Sequence, residues 1–195
     1  GLMQESFEET WHTCMNAKTM ETEAVSEKMA RLVGDLRPTN HVIFLYQSSE
    51  AKHNVLFNYL KFGLENGEAG VYVASEEDPN KIRDAMKAFG LQTEKYEKTG
   101  ALRILGCSDV YIIDGEFDMS TTMSIWNKLY SEALAKGFKG LRVTGEMACF
   151  FEYNLLQEMV EYETALHKVL DVPMIAICAY NSKDLTKAFN PINLY

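Results

Sequence analysis

The sequence predicts an α/β fold with three α/β/α layers: a mostly parallel sheet lies between helices and follows one long amphipathic helix. Two observations support this prediction. After Pro38, short apolar segments alternate with helical ones, and these segments are apolar on both faces. Strands have this character when helices cover both sides of a parallel sheet. At 195 residues, 47% of them hydrophobic, the chain is long enough for one well-buried domain.

The first predicted element is a long helix from Gln4 to Val33. This stretch contains neither Gly nor Pro, and acidic residues separate its regularly spaced apolar ones. Gly34 and Pro38 would end it. It would be roughly 45 Å long, longer than a domain of this size is wide, so its apolar stripe needs a partner. We therefore assign residues 1–37 to a dimer or partner contact and residues 38–195 to the domain.

Strands and helices alternate through the domain. The apolar runs predict strands at 42–46, 70–74, 102–105, 140–144 and 174–180. Helical patterns cover about 51–66, 79–89, 119–136, 151–169 and 182–189. The start at Asp78–Pro79 is the best defined, because Asp caps helices well and Pro favours the first helical position.

Composition argues against several classes of protein. The formal net charge is −9, whereas nucleic-acid binding needs clustered Lys and Arg, so we expect no direct nucleic-acid contact. The longest apolar run, residues 174–180, is too short to cross a membrane. The four cysteines are scattered without a Cys-x-x-Cys pair, which is typical of a reduced, cytoplasmic protein and argues against a disulfide scaffold or a zinc module.

The turn after the first predicted strand of the domain occupies the position of a phosphate-binding loop, and Lys52 stands where such a loop has its lysine. A phosphate cradle needs glycines, which let backbone N–H groups converge on the anion. Tyr46, Ser49 and Ala51 occupy those positions, and Glu50 would put a carboxylate where a phosphate should rest. We therefore expect neither nucleotide binding nor catalysis here.

Several strings resemble one known family. Residues 41–73 (HVIFLYQSSEAKHNVLFNYLKFGLENGEAGVYV), 140–147 (GLRVTGEM), 162–163 and 177–180 are similar to the MEDS domain, a methanogen/methylotroph sensory domain of the dichloromethane-repressor type. The resemblance spans about residues 38–189, with Thr39 where the family often has Gly. It implies a RecA/KaiC-like fold without a P-loop. It also implies a prokaryotic sensor of small hydrocarbon derivatives or one-carbon compounds, often attached to a DNA-binding or histidine-kinase unit.

Seven residues are candidates for binding a small organic ligand: His41, Tyr46, Arg142, Thr144, Glu146, Glu163 and Tyr180. Those at 142, 144 and 146 share one face of a strand, and a buried arginine must be paired; Glu146 or Glu163 is the expected partner. His41 and Glu163 match the family strings, while the two tyrosines end strands. Each has a structural alternative, as a loop contact, an ion pair or a core aromatic residue.

The sequence therefore predicts a non-catalytic small-molecule sensory domain in signal transduction or transcription regulation, without a cofactor. It would act as a homodimer through the first helix, or with a kinase or regulator as partner. Two alternatives stay open. One is an ATPase-like enzyme of the RecA/KaiC type that uses Lys52 with Glu146 or Glu77. The other is a pure protein-interaction module whose pocket is filled by its own side chains.

Overall fold

The computed structural model describes residues 15–16, 23–168 and 172–189. Its strands are β1 (Met15–Asn16), β2 (His41–Tyr46), β3 (Ala69–Ala74), β4 (Leu102–Gly106), β5 (Leu141–Glu146) and β6 (Ile175–Asn181). Its helices are α1 (Glu23–Asp35), α2 (Ser49–Glu65), α3 (Pro79–Phe89), α4 (Thr93–Thr99), α5 (Cys107–Val110), α6 (Met119–Ala135), α7 (Ala148–Glu152), α8 (Leu156–Lys168) and α9 (Ser182–Ala188).

The described strands form one parallel sheet in the order β1-β2-β6-β5-β3-β4. The last strand in the sequence lies between β2 and β5, so the carboxyl ends of β2, β6, β5 and β3 are neighbours. All five predicted strands of the domain are present, and the predicted α/β class is confirmed. A parallel sheet of this kind places ligand-binding groups at those carboxyl ends.

Helices cover both faces of the sheet, because side chains alternate along each strand. Phe44, Tyr72 and Ile177 belong to a buried core that also includes residues of α1, α2 and α3. Val73 and Cys178 belong to the opposite core, with residues of α5 to α8. We call these the α2 face and the α8 face of the sheet.

Local capping fixes the two helices that flank the carboxyl edge. The Ser48 side chain accepts a hydrogen bond from the Ala51 N–H at 3.2 Å and caps α2. Asp78 accepts one from the Asn80 N–H at 2.8 Å and caps α3, whose first residue is Pro79. The predicted Asp-Pro start is therefore confirmed.

The amino-terminal region differs from the single predicted helix over Gln4 to Val33. Residues 23–35 are helical, but Met15–Asn16 is extended and pairs with Phe44 and Leu45 of β2. The short strand covers backbone groups that β2 would otherwise leave unpaired at the sheet edge. The rest of the predicted helix lies outside the described residues, as does most of the surface assigned to a dimer or partner.

The predicted helix over 151–169 is two helices, α7 and α8, separated by residues 153–155. Asn154 adopts the left-handed conformation, with φ 55°, which ends the first helix. The short helices α4 and α5 are not among the predicted elements. Within the described residues, no helix combines the length and apolar character needed to span a membrane.

Candidate functional site

The turn that leaves β2 is too short to wrap a polyphosphate. Strand β2 ends at Tyr46 and helix α2 begins at Ser49, so only Gln47 and Ser48 lie between them. Ser48 is extended, and none of the described residues in this turn has a positive φ. The alternating left- and right-handed backbone that converges N–H groups on an anion is absent from this turn.

Lys52, in the first turns of α2, is fully buried and surrounded by carboxylates. Its Nζ lies 2.6 Å from Oε2 of Glu146, 3.2 Å from Oε1 of Glu77 and 3.6 Å from Oε2 of Glu76. Nζ also lies 5.4 Å from the centre of the Tyr46 ring, in a cation–π contact. We define the Lys52 cluster as six residues: Lys52, Tyr46, Glu76, Glu77, Glu146 and Tyr72, the last of which contacts Glu146.

Glu146, the last residue of β5, is fully buried, and its carboxylate has four partners, of which Lys52 neutralises its negative charge. Besides Lys52, its carboxylate accepts hydrogen bonds from the Tyr72 hydroxyl at 2.7 Å, the Ser75 N–H at 2.8 Å and the Glu76 N–H at 3.1 Å. The turn after β3 thus directs its backbone donors at a side chain of the protein itself. Those donors are occupied in this arrangement.

Glu76 links three segments at the carboxyl edge. It accepts hydrogen bonds from the Tyr46 hydroxyl at the end of β2 and from Nδ2 of Asn181 at the end of β6, the latter at 3.3 Å. Burial is the main cause that raises the pKa of Tyr46 far above its usual value, and the hydrogen bond to Glu76 is the next. Tyr46 is therefore a neutral hydrogen-bond donor at physiological pH.

The charges of the cluster influence one another. Burial acts to lower the pKa of Lys52, but the carboxylates, Glu146 foremost, outweigh it and hold that pKa above its usual value. Burial acts to raise the pKa of Glu77, but Lys52 and His53 hold it below its usual value. Lys52 thus stays protonated and Glu77 ionised, and three carboxylates against one ammonium leave this edge with net negative charge.

His53 stands beside the cluster, with Nε2 3.3 Å from Oε1 of Glu77 and its ring stacked on Phe57 at 4.6 Å. Burial and the nearby positive charge of Lys52 lower the pKa of His53, against the opposing effect of Glu77.

A second polar group lies on the α8 face. His41 Nε2 is 2.8 Å from Oε2 of Glu163, and the Tyr180 hydroxyl donates a hydrogen bond to Oε1 of Glu163. Cys178 Sγ belongs to the same group, since its ligand atom and those of His41 and Glu163 all lie within 4.8 Å of one another. We call these four residues the Glu163 group.

Arg142 is buried and paired, but its partner is neither of the two residues expected. Its Nε donates to Oε2 of Glu68, and Nη1 donates to the backbone oxygen of Val33 at 2.9 Å. The guanidinium also lies over the rings of Tyr59 and Phe62, at 5.2 and 5.0 Å. Arg142 is the second residue of β5 and Glu146 is the last, so the length of the strand separates them.

The seven candidate residues therefore do not form a single pocket. Tyr46 and Glu146 meet in the Lys52 cluster, while His41, Glu163 and Tyr180 meet in the Glu163 group on the other face. Thr144 lies between the two ends of β5, and its hydroxyl donates to the Ile177 backbone oxygen at 3.0 Å. Arg142 and Thr144 thus make contacts that hold the fold together.

Sequence reasoning did not include Lys52, Tyr72 and Glu76 among the candidate ligand-binding residues. Lys52 lies in the first turns of α2 and Glu76 follows β3 on the carboxyl edge, so position alone is the signal that could have found these two. Tyr72 lies inside β3 and has no such signal. It also did not connect Cys178 with His41, although the parallel β2–β6 register places both on the same face.

A cleft of about 430 Å³ opens between the end of α7, the start of α8 and helix α9. Phe151, Leu156 and Ala188 supply apolar surface, and Asp184 and Lys187 supply charge. Its volume is in the range of small-molecule sites. The Phe151 ring packs edge-on against the Tyr180 ring, with the ring centres 6.3 Å apart, and this contact connects the cleft to the Glu163 group.

Partial similarity to curated proteins extends over limited stretches. The chain is 34% identical to a UPF0273 protein of Aeropyrum pernix over 74 residues, 38% of this chain and 30% of that protein. It is 30% identical to the circadian clock protein KaiC3 of Synechocystis over 81 residues, 40% of this chain and 16% of that one. The chain therefore matches less than a third of the length of these relatives.

The fold is similar to that of a solved KaiC-like protein from Pyrococcus horikoshii. The TM-score is 0.54 at 20% identity, over 73% of this chain and 62% of that one. This likeness supports the RecA/KaiC-like architecture alone. The family model of the methanogen/methylotroph, DcmR sensory domain matches residues 40–189, most of the chain. The chain belongs to this MEDS family of sensory domains.

Proposed function

We propose that this domain is a non-catalytic sensor that binds a small organic molecule and transmits binding to a partner. Membership of a sensory family supports a role in sensing or signalling. One observation supports the non-catalytic part of this proposal. The Lys52 ammonium and the backbone N–H groups of Ser75 and Glu76 are already bonded to a carboxylate of the protein itself, that of Glu146.

The electrostatics of the carboxyl edge argue against a nucleotide. A polyphosphate would bring several negative charges beside Glu76, Glu77 and Glu146, and like charges at close range are unfavourable. It would also have to displace a buried ion pair, which leaves an uncompensated charge behind.

The cleft beside α9 is the candidate place for the ligand. It combines an apolar wall with a few charged groups, the composition typical of small-molecule sites, and it adjoins Tyr180 through Phe151. Small hydrocarbon derivatives or one-carbon compounds match this mixture of an apolar wall and a few polar anchors. Binding signals only if the ligand favours one arrangement of the domain over another.

Thermal shift of the full chain tests this proposal with a panel of small halogenated compounds, alcohols, thiols and one-carbon compounds. We expect at least one class to raise the melting temperature. Ala188→Phe fills the cleft and should abolish that shift. The matched control is Ala135→Phe, at an exposed position on α6 that does not line the cleft, and it should keep the shift. A shift that survives Ala188→Phe would rule out the cleft.

One observation favours the enzyme alternative: a lysine and three glutamates converge at the edge where parallel sheets bind their ligands. Calorimetric titration with Mg-ATP discriminates the two functions. The sensor proposal expects no binding. Tight binding that disappears in Lys52→Ala would replace the sensor by a nucleotide-dependent enzyme.

A further inference from the structure

We propose that His41, Glu163 and Cys178 form a binding site for a divalent transition-metal ion of the zinc type. The three side chains supply one imidazole nitrogen, one carboxylate oxygen and one thiol sulfur. Their ligand atoms lie within 4.8 Å of one another, and all three residues are buried.

Two of the three atoms lack a hydrogen bond. His41 Nε2 and Glu163 Oε2 are inaccessible to solvent, and neither forms a hydrogen bond with acceptable geometry, although they lie only 2.8 Å apart. His41 is 7% exposed and Glu163 6%. Buried polar atoms are normally hydrogen-bonded, so these two atoms, which are directed into the same space, are available to coordinate one ion.

The charge balance suits a divalent cation. A neutral imidazole, an ionised carboxylate and a thiolate together carry two negative charges, which balance the two positive charges of a divalent ion. Binding of the ion to the Cys178 sulfur would release the thiol proton to solvent.

The donor set selects the class of metal. Thiolate and imidazole together favour zinc-like ions over magnesium or calcium, which prefer oxygen ligands. Bonds of about 2.0–2.3 Å can reach all three atoms after small side-chain rotations. Three protein ligands leave a fourth position open, as in zinc sites that bind water or a substrate.

Tyr180 has a positioning role in this site. Its hydroxyl donates to Oε1 of Glu163, which leaves Oε2 directed at His41 and the proposed ion. Hydrogen bonds to a ligating carboxylate orient it, and their loss typically lowers metal affinity about 10–100-fold. His167, one turn after Glu163 on α8, lies nearby, with its ring centre 6.4 Å from that of His41.

Co²⁺ titration of the full chain, stripped of metal with a chelator, tests the site, because a cobalt–thiolate bond absorbs in the near ultraviolet. We expect one equivalent to bind with this band, and Zn²⁺ to displace it. Cys178→Ser should abolish the band, and His41→Asn and Glu163→Gln should weaken binding at least about tenfold, as Tyr180→Phe should.

The control variants are Cys14→Ser, Cys107→Ser and Cys149→Ser, which should keep the band. Circular dichroism identifies any variant that fails to fold, and Cys178→Ala provides a second test of the sulfur ligand. The proposal is overturned if the folded protein binds no stoichiometric Co²⁺, or if the band persists without Cys178. Neither outcome depends on whether the cleft binds an organic molecule.

Discussion

At the scale of single residues, the most consequential contact is the buried pair of Lys52 and Glu146. Both side chains are completely inaccessible to solvent, with Nζ and Oε2 2.6 Å apart. Such a pair adds little net stability compared with apolar residues, because both groups lose their hydration. Removing one partner is a different matter, since it leaves the other charge buried without compensation.

We therefore expect Lys52→Met to lower the free energy of unfolding by roughly 3–5 kcal/mol. Denaturant titration followed by circular dichroism measures the loss. The matched control is Lys61→Met on the same helix, whose ion pair with Glu65 is exposed at 4.0 Å and should change stability by less than about 0.5 kcal/mol. Combining Lys52→Met with Glu146→Gln should recover part of the loss. An unchanged stability of Lys52→Met would contradict the buried pair.

Residue-level contacts were also the hardest to predict from the sequence. Lys52 lies in the first turns of a helix, and lysine is usually solvated. Its burial follows from the closeness of α2 to the ends of β3 and β5, which no local pattern encodes. Arg142 was correctly expected to be paired, but its partner Glu68 lies in the connection before β3, outside any motif.

At the scale of elements, prediction succeeded where the pattern is local. The strands follow from continuous apolar runs, and α3 follows from its Asp-Pro start. The sheet order could not be predicted in the same way, because the placement of β6 between β2 and β5 depends on contacts between distant segments. Two polar groups on opposite faces result from that order, and they replaced the single expected pocket.

Strand β5 contains a glycine that the packing requires. A Cβ at Gly145 would lie 3.1 Å from Cζ of Tyr111 and closer still to its hydroxyl. The neighbouring strands and the buried Tyr111 ring leave no room to shift. Because Gly145 has no side chain, the ring of Tyr111, the residue that follows α5, can pack against the sheet.

Gly145→Ala should therefore destabilise the protein by about 1–3 kcal/mol, the usual cost of overpacking a core. The control is Gly140→Ala, just before β5, where the nearest atom to the new Cβ is 3.8 Å away and little change is expected. Thermal unfolding compares the two. If Tyr111→Phe in the Gly145→Ala background restores none of the loss, the collision with the tyrosine hydroxyl is not its cause.

At the scale of the whole molecule, stability depends on pH through His53. Its pKa lies below the value of 6.5 found in an unfolded chain, so the unfolded state binds more protons in acid. The stabilising contribution is complete above about pH 6.5 and is lost as the pH falls through the lower, folded pKa.

We expect His53→Gln to reduce the loss of stability between pH 7.5 and pH 5.5, and denaturant titrations at the two pH values measure it. Glu77, whose pKa is depressed below 4.5, contributes its own loss only at lower pH. His167→Gln serves as the control, because that histidine is exposed on α8. An identical pH dependence in His53→Gln and the unaltered chain would contradict this assignment.

Assembly is the second prediction at this scale. Leu32 on α1 and Phe62 on α2 are exposed apolar side chains, 44% and 39% accessible, and the undescribed amino-terminal residues add further apolar positions. We expect a homodimer through this region. Light scattering of the full chain should give twice the monomer mass, and Leu32→Glu should shift it toward the monomer. The control is Leu134→Glu, on α6, which should leave the mass unchanged; a monomeric unaltered chain would exclude the dimer.

The connections made by Glu76 have a consequence for how the chain reaches its native state. Its partners Tyr46 and Asn181 are 30 and 105 residues away along the chain, and contacts between such distant segments are costly to close early. The hydrogen bonds of Glu76 to Tyr46 and Asn181 can therefore both form only after β6 has inserted between β2 and β5. During synthesis, the ribosome would have to release nearly the entire domain before this part of the molecule takes shape.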